Sequence, residues 1–196
     1  MEAKAKSLSY REYLALERTE HRKYEWRQGQ VVAMAGGTIE HGQIAVLLAA
    51  AFVEHLRGSS CRVLNSDVKT RIEAADRTTY PDLSIVCGGI ERSGFDENAV
   101  TNPSLIVEVL SDSTEAADRG EKFAAYRKLP SLREYLLVSQ QRKRLELFRR
   151  RDDGIWELRI AEEGDQVTLE TRNVPLAVDQ VYEGVTFSEP PSTHEA

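Results

Sequence analysis

The spacing of apolar positions changes several times along the chain, and each change marks an element. Ser9-Tyr10-Arg11-Glu12 has capping-box spacing, with serine at the N-cap and glutamate three residues on, and opens a short helix to about Glu17. Tyr24–Arg27 and Gln30–Met34, parted by Gln28-Gly29, read as a hairpin. From Ile39 to Leu56, the residues Ile44, Leu47, Leu48, Ala51 and Phe52 recur at helical spacing, and Gly58-Ser59-Ser60 ends this longest helix. Strand-like runs follow at Cys61–Leu64, Val68–Ile72 and Leu83–Cys87, the last directly after Tyr80-Pro81-Asp82. Gly88 to Asn102 reads as a loop. Leu105–Leu110 is almost wholly apolar, as expected of a central strand buried on both faces. A helix from about Ser113 to Lys128 turns Phe123, Ala124 and Tyr126 inward, and strands are expected at Glu134–Val138, Arg144–Arg149, Ile155–Ile160 and Val167–Glu170. Residues 1–187 then form one domain of α/β (α+β) type, a mixed central sheet flanked by helices with additional antiparallel hairpins. Ser188–Ala196, with Pro190-Pro191, reads as a frayed tail.

Composition narrows the function classes. With 196 residues, 41% of them hydrophobic and 30% charged, the chain can bury a core without disulfide staples. No run approaches the roughly 18–20 apolar residues of a membrane-spanning helix, and the N-terminus, Met1-Glu2-Ala3-Lys4, leads into polar sequence rather than a signal-peptide core. Cys61 and Cys87 lie in strand-like runs and read as buried, inert thiols, which suits a reducing cytoplasm. The net charge of −6 argues against a histone-like protein, yet it hides a split. Residues 152–196 hold eleven acids and two bases, leaving 24 bases against 21 acids in residues 1–151. No Walker A, G-x-G-x-x-G, H-E-x-x-H or G-x-S-x-G pattern occurs, so nothing supports a nucleotide cofactor, a zincin or a serine hydrolase.

The informative feature is carboxylates among apolar residues. Asp82 follows a proline at the mouth of an apolar strand, and Glu108 lies inside the most apolar strand of the chain. An ionised group there is costly unless paired or metal-bound. Two converging carboxylates raise each other's pKa unless a cation neutralises them, and a hard divalent ion suits oxygen donors. The next helix brings Asp118 and Lys122 to one face at i, i+4. A lysine beside two carboxylates and a metal can orient a water or stabilise charge on a phosphoryl group. Each residue also has a plainer reading: Asp82 as a turn residue, Lys122 as a salt-bridge partner of Asp118, Glu108 as half of a buried pair with an arginine.

These residues resemble the PD-(D/E)XK nuclease superfamily and, more narrowly, the Uma-type bacterial family of putative restriction endonucleases. The matching stretches are Tyr80-Pro81-Asp82-Leu83-Ser84-Ile85-Val86, the run Asn102–Thr114 that contains Glu108, Asp118–Tyr126, and Leu132–Val138, together with Tyr24-Glu25 and Glu40-His41-Gly42. The resemblance implies a restriction-endonuclease-like fold and a Mg²⁺- (or Mn²⁺-) dependent phosphodiesterase acting on DNA. In it Asp82, Glu108 and the Val109 carbonyl bind the metal, Glu25 adds an acidic ligand or metal-water contact, and Lys122 serves the attacking water. The superfamily's lysine normally stands two residues after the second acid, where this chain has Leu110; the family moves it to the following helix, at Lys122. A further departure is Ser111-Asp112-Ser113-Thr114, with aspartate where proline is usual. A homodimer is expected, since cutting two antiparallel strands suits two sites related by a dyad. The alternative is an inactive nuclease-fold module for DNA binding or protein interaction.

Three further groups have two readings each. His41 either caps its helix or joins the site. Lys69 and Arg71, alternating after Asp67, form a polar strand face or contact phosphate. Arg142, Lys143, Arg144, Arg149 and Arg150 bracket a strand pair, either as a ridge that follows a phosphate backbone or as a charged hairpin edge guarded against aggregation.

Overall fold

The computed structural model describes residues 7–187; the expected tail at 188–196 lies outside the described residues. Helix α1 (Tyr10–Glu20) starts at the expected capping box: the Ser9 hydroxyl accepts from Glu12 N–H while the Glu12 carboxylate accepts from Ser9 N–H at 2.6 Å. It runs past Glu17 because Arg18, Thr19 and Glu20 continue the helix outside its apolar stripe. Strands β1 (Tyr24–Arg27) and β2 (Gln30–Ala33) pair across Gln28-Gly29, whose φ values of 47° and 89° suit the tight hairpin turn. Glycine is required at position 29, since a Cβ there would fall 2.0 Å from Ser7 Oγ. Helix α2 (Ile39–His55), capped by Thr38, buries Ile44, Leu48 and Phe52 at four-residue intervals along one face.

The remaining strands are β3 (Cys61–Asn65), β4 (Lys69–Ile72), β5 (Arg77–Thr79), β6 (Leu83–Cys87), β7 (Arg92–Ser93), β8 (Asp96–Val100), β9 (Leu105–Leu110), β10 (Glu134–Ser139), β11 (Arg144–Arg150), β12 (Trp156–Glu162), β13 (Gln166–Thr168) and β14 (Pro175–Ala177). Between β9 and β10 lie α3 (Glu115–Ala117), a π-helical turn (Asp118–Lys122) and α4 (Phe123–Tyr126); α5 (Val178–Val181) follows β14.

One six-stranded sheet runs β12-β11-β10-β9-β6-β3, with β9 and β10 parallel and the other pairs antiparallel. Helix α2 covers one face through Ile44, Leu48 and Phe52 against Leu105, Val107, Val109 and Leu136. The residues after β9 cover the other, where Tyr126, Leu129 and Leu132 meet Ile106, Leu110, Tyr135 and Leu137. The parallel β9–β10 pair demands this crossover, since parallel neighbours cannot be joined by a tight turn. Five apolar residues of β9 are buried at about 1.5–3 kcal/mol each, which offsets the cost of holding Glu108 among them.

The single central sheet expected from the pattern is joined by a second of equal size. Its order is β2-β1-β5-β4-β8-β7, with α1 packed on it through Tyr13 against Tyr24 and Trp26. The segment Gly88–Asn102, expected as a loop, contributes β7 and β8, and β5 also goes unmarked by the pattern. These strands are short and polar, so they carry no period-2 apolar signal although β5 is fully buried.

Cys61 and Cys87, expected as free thiols, form a disulfide. They are direct cross-strand partners of β3 and β6, a proximity that only the register reveals. Closing a 26-residue separation constrains the unfolded chain, so the Cys61→Ala/Cys87→Ala double variant is expected to lose about 3 kcal/mol in urea unfolding. An equal midpoint for both proteins would contradict this.

Candidate active site

Asp82 stands between Pro81 and the start of β6, one step beyond the last paired residues Leu83↔Val107 of β6 and β9. Continuing that register places Asp82 opposite Glu108, so the two carboxylates meet on neighbouring strands. Asp82 Oδ2 accepts the Val109 N–H at 2.7 Å, which fixes its carboxylate against β9. His41, in the first turn of α2, reaches the same oxygen with Nε2 at 3.2 Å. Its backbone N–H meanwhile donates to the Thr38 cap. The hydrogen bond to Asp82 raises the His41 pKa above the usual histidine value, against the opposing effect of burial.

Glu108 is 3% exposed. Its Oε1 takes the Tyr126 hydroxyl at 2.8 Å and lies 3.5 Å from Lys122 Nζ. Tyr126 is also hydrogen-bonded to the Thr79 hydroxyl at 2.9 Å. Lys122 is buried among three carboxylates, 2.9 Å from Asp118, 3.2 Å from Glu25 and 3.5 Å from Glu108. The π-helical turn brings Asp118 and Lys122 inward together, both buried, and π turns commonly occur at functional positions. Tyr135 donates to the Asp118 carbonyl at 3.1 Å and ties this turn to β10. Arg77 on β5 approaches Glu25 at 3.6 Å and Glu121 at 3.4 Å, and Arg27 also pairs with Glu121. Burial pushes Glu108 well above the usual carboxylate range; Lys122 pulls it down, while Asp118, Asp82 and Glu25 push it further up. Burial favours a neutral Lys122, but Glu108, Glu25 and Asp118 outweigh it and keep the ammonium charged.

Asp82, Glu108, Lys122, Glu25, His41 and Asp118 therefore converge, with Val109 contributing its N–H. The arginine partner considered for Glu108 is replaced by Lys122 and Tyr126. Tyr126, Thr79 and Arg77 went unmarked as site residues: Tyr126 reads as one more inward helix residue, and the other two sit on a strand with no apolar signal. The basic hairpin is engaged by its own chain. Arg144 pairs with Glu146 and Glu162, Arg149 with Glu134 and Glu170, and Lys143 with Glu163 and Asp179. Arg150 donates to the Leu129 carbonyl, while Arg142 makes no ion pair among the described residues. Lys69 and Arg71 are buried as well, Lys69 against Glu17 and Asp96, Arg71 against Asp76 and the Tyr10 ring.

Among the described residues, no three His, Cys, Asp or Glu side chains are gathered tightly enough to enclose an ion. The carboxylates are drawn around the Lys122 ammonium instead. The donor set nevertheless suits a hard divalent cation in its chemistry. The carboxyl groups supply oxygen donors, and Asp82 and Glu108, on neighbouring strands, stand at the rim of the set that Lys122 gathers.

Comparison with known proteins gives the family and the fold. The model of the family Uma2, described as "Putative restriction endonuclease", matches residues 10–178. Two proteins of Synechocystis sp., both described as uncharacterized, are similar to the chain. One, slr1290, is 40% identical over 180 residues, covering 92% of this chain and 94% of the relative. The other, sll1609, is 33% identical over 154 residues, covering 79% and 87%. The crystal structure of a putative nuclease belonging to DUF820 from Anabaena variabilis superposes with a TM-score of 0.73 at 16% identity. It covers 89% of this chain and 97% of that one, and so shares the fold. Among the described residues no helix is long and apolar enough to cross a membrane.

Proposed function

The chain belongs to the Uma2 family of nuclease-like proteins, and on that premise we propose that it is a metal-dependent endonuclease that hydrolyses DNA phosphodiester bonds. The observation that carries this reading is the cluster of Glu25, Glu108 and Asp118 around the buried Lys122, with Asp82 held beside it by His41 and the Val109 N–H, at the meeting of β6 and β9. Such a concentration of charge is costly to fold around, which suits a site kept for chemistry.

Asp82 and Glu108, with Glu25 beside them, are the residues that would hold Mg²⁺ or Mn²⁺. Such an ion would supply Lewis acidity toward a phosphate and make a nearby water more acidic. Lys122 stays an ammonium, so its part is electrostatic: it offsets charge on the phosphoryl oxygens and orients the attacking water rather than deprotonating it. Asp118 and Glu25 hold it in place. His41 orients the Asp82 carboxylate, and the Val109 N–H fixes it from the other side.

The inactive-module reading keeps two observations in its favour. The ammonium fills the acidic cluster by itself, and Leu110 stands where the superfamily's lysine is usual. Relaxation of supercoiled plasmid in Mg²⁺ and in Mn²⁺, beside calorimetric metal titration, separates the two. The nuclease reading expects metal-dependent nicking by the wild type and its loss in Asp82→Asn, with metal binding weakened in parallel. Absence of metal binding, or equal nicking by both proteins, would overturn it.

A further inference from the structure

We propose that β12 is the edge through which two copies of this chain pair, antiparallel and centred on Leu158. The inference rests on the strand itself and not on the nuclease reading.

Strand β12 ends the larger sheet and is hydrogen-bonded to β11 alone. At the hairpin, Arg151 N–H donates to the Ile155 carbonyl at 2.8 Å, marking that pair as hydrogen-bonded. Bonded and non-bonded pairs alternate along an antiparallel ladder. The pairs Arg150↔Trp156, Phe148↔Leu158 and Glu146↔Ile160 are thus non-bonded, and the N–H and C=O groups of Trp156, Leu158 and Ile160 point outward, away from β11. Among the described residues these groups meet no backbone partner on that side.

Proteins usually blunt such an edge with charged side chains, above all lysine, or with proline, a bulge or a very short strand; the charges of β12 are Glu157, Arg159 and Glu162, of both signs and so able to pair across a dyad. Seven residues long, β12 has an unbroken register, no proline and no lysine. It also exposes Leu158 by 48% and Ile160 by 45%, next to Ile155 at 57%. An edge of this kind is suited to being covered by another strand.

The side chains select a second copy as the cover, and a single register. With Leu158 opposite the partner's Leu158, Trp156 faces the partner's Ile160, so one face of the joint carries only apolar residues. On the other face Glu157, which pairs with Arg151 of its own chain at 2.7 Å, falls opposite the partner's Arg159, and the dyad repeats that pair. These are non-bonded positions, where cross-strand side chains come closest. A register centred on Arg159 sets arginine against arginine, and one centred on Glu157 sets glutamate against glutamate. Only the Leu158-centred alignment combines opposite charges, an apolar face and outward backbone groups in phase.

The test is the mass in solution of the full chain, by sedimentation across a dilution series. Wild type is expected at twice the 22.1 kDa of one chain. Arg159→Glu sets like charges opposite each other twice and is expected to weaken association on the order of tenfold or more. The swapped variant, Glu157→Arg with Arg159→Glu, restores it. Circular dichroism and urea midpoints confirm that each variant is folded. A monomeric wild type overturns the proposal, as does a dimer indifferent to Arg159→Glu or one that the swap fails to rescue. A chain ending at Phe187 that dimerises while the full chain does not would show the edge covered by residues 188–196, which also overturns it. Plasmid cleavage plays no part in the readout, so the two proposals fail separately.

Discussion

Lys122→Met is expected to be the most damaging single change in the protein. Methionine fits the volume of the lysine stem but leaves Glu25, Glu108 and Asp118 facing one another without the ammonium between them. Removing one partner of a buried ion pair costs about 3–5 kcal/mol, because the remaining charge is stranded where water cannot reach it. Urea unfolding in chelator should show a loss of that order near neutral pH. The deficit should shrink on acidification: burial already holds Glu108 above the usual carboxylate range, and losing Lys122 removes the charge that pulls it down, so the stability it contributes is fullest when protonated and is lost as pH rises. Plasmid nicking should fall at least about 100-fold with the charge that stabilises the phosphoryl oxygens. Metal affinity, however, should be retained or increased, since the acidic site has lost a competing cation. A variant that loses metal binding along with activity would show Lys122 to be only a scaffold.

Glu108→Gln should do the opposite to stability and the same to activity. Glutamine is isosteric, and its amide oxygen can still take the Tyr126 hydroxyl and face Lys122. What disappears is a charge that burial and three neighbouring carboxylates oppose. In chelator the wild type should lose stability as pH rises from the unperturbed value of 4.5 through the raised folded-state value of Glu108. In Glu108→Gln that contribution to the pH dependence should be absent, making the variant as stable as wild type or more so above neutrality. Cleavage should nevertheless fall on the order of 10³-fold, the loss expected when several kcal/mol of metal-assisted transition-state stabilisation goes. A stable but inactive Glu108→Gln beside an unstable, inactive Lys122→Met would be the pattern of a site kept at a stability cost. A destabilised Glu108→Gln would mean that the carboxylate is there to hold the fold.

Local signals in the chain specified much of this. The capping box at Ser9 and Glu12, the Gln28-Gly29 turn, the four-residue apolar interval of α2 and the apolar run of β9 each follow from interactions among residues near in sequence. Charge placement marked Asp82, Glu108 and Lys122 for the same reason. A carboxylate in a strand of otherwise apolar residues is anomalous wherever that strand lies, because its desolvation cost does not depend on which neighbour it later meets.

What the tertiary structure alone decided is which distant groups share a space. The register of β6 against β9 sets Asp82 opposite Glu108, and that of β3 against β6 sets Cys61 opposite Cys87 and turns two expected thiols into a disulfide. Strands β5, β7 and β8 are too short and too polar to announce themselves, yet β5 supplies Arg77 and Thr79 to the site. The hairpin arginines look like a free basic ridge until the sheet brings Glu134, Glu146 and Glu162 against them. Pattern along a chain reports the cost of burying a residue; only the fold determines which partner offsets that cost, since hydrogen bonds and ion pairs act over a few ångströms and not along the sequence.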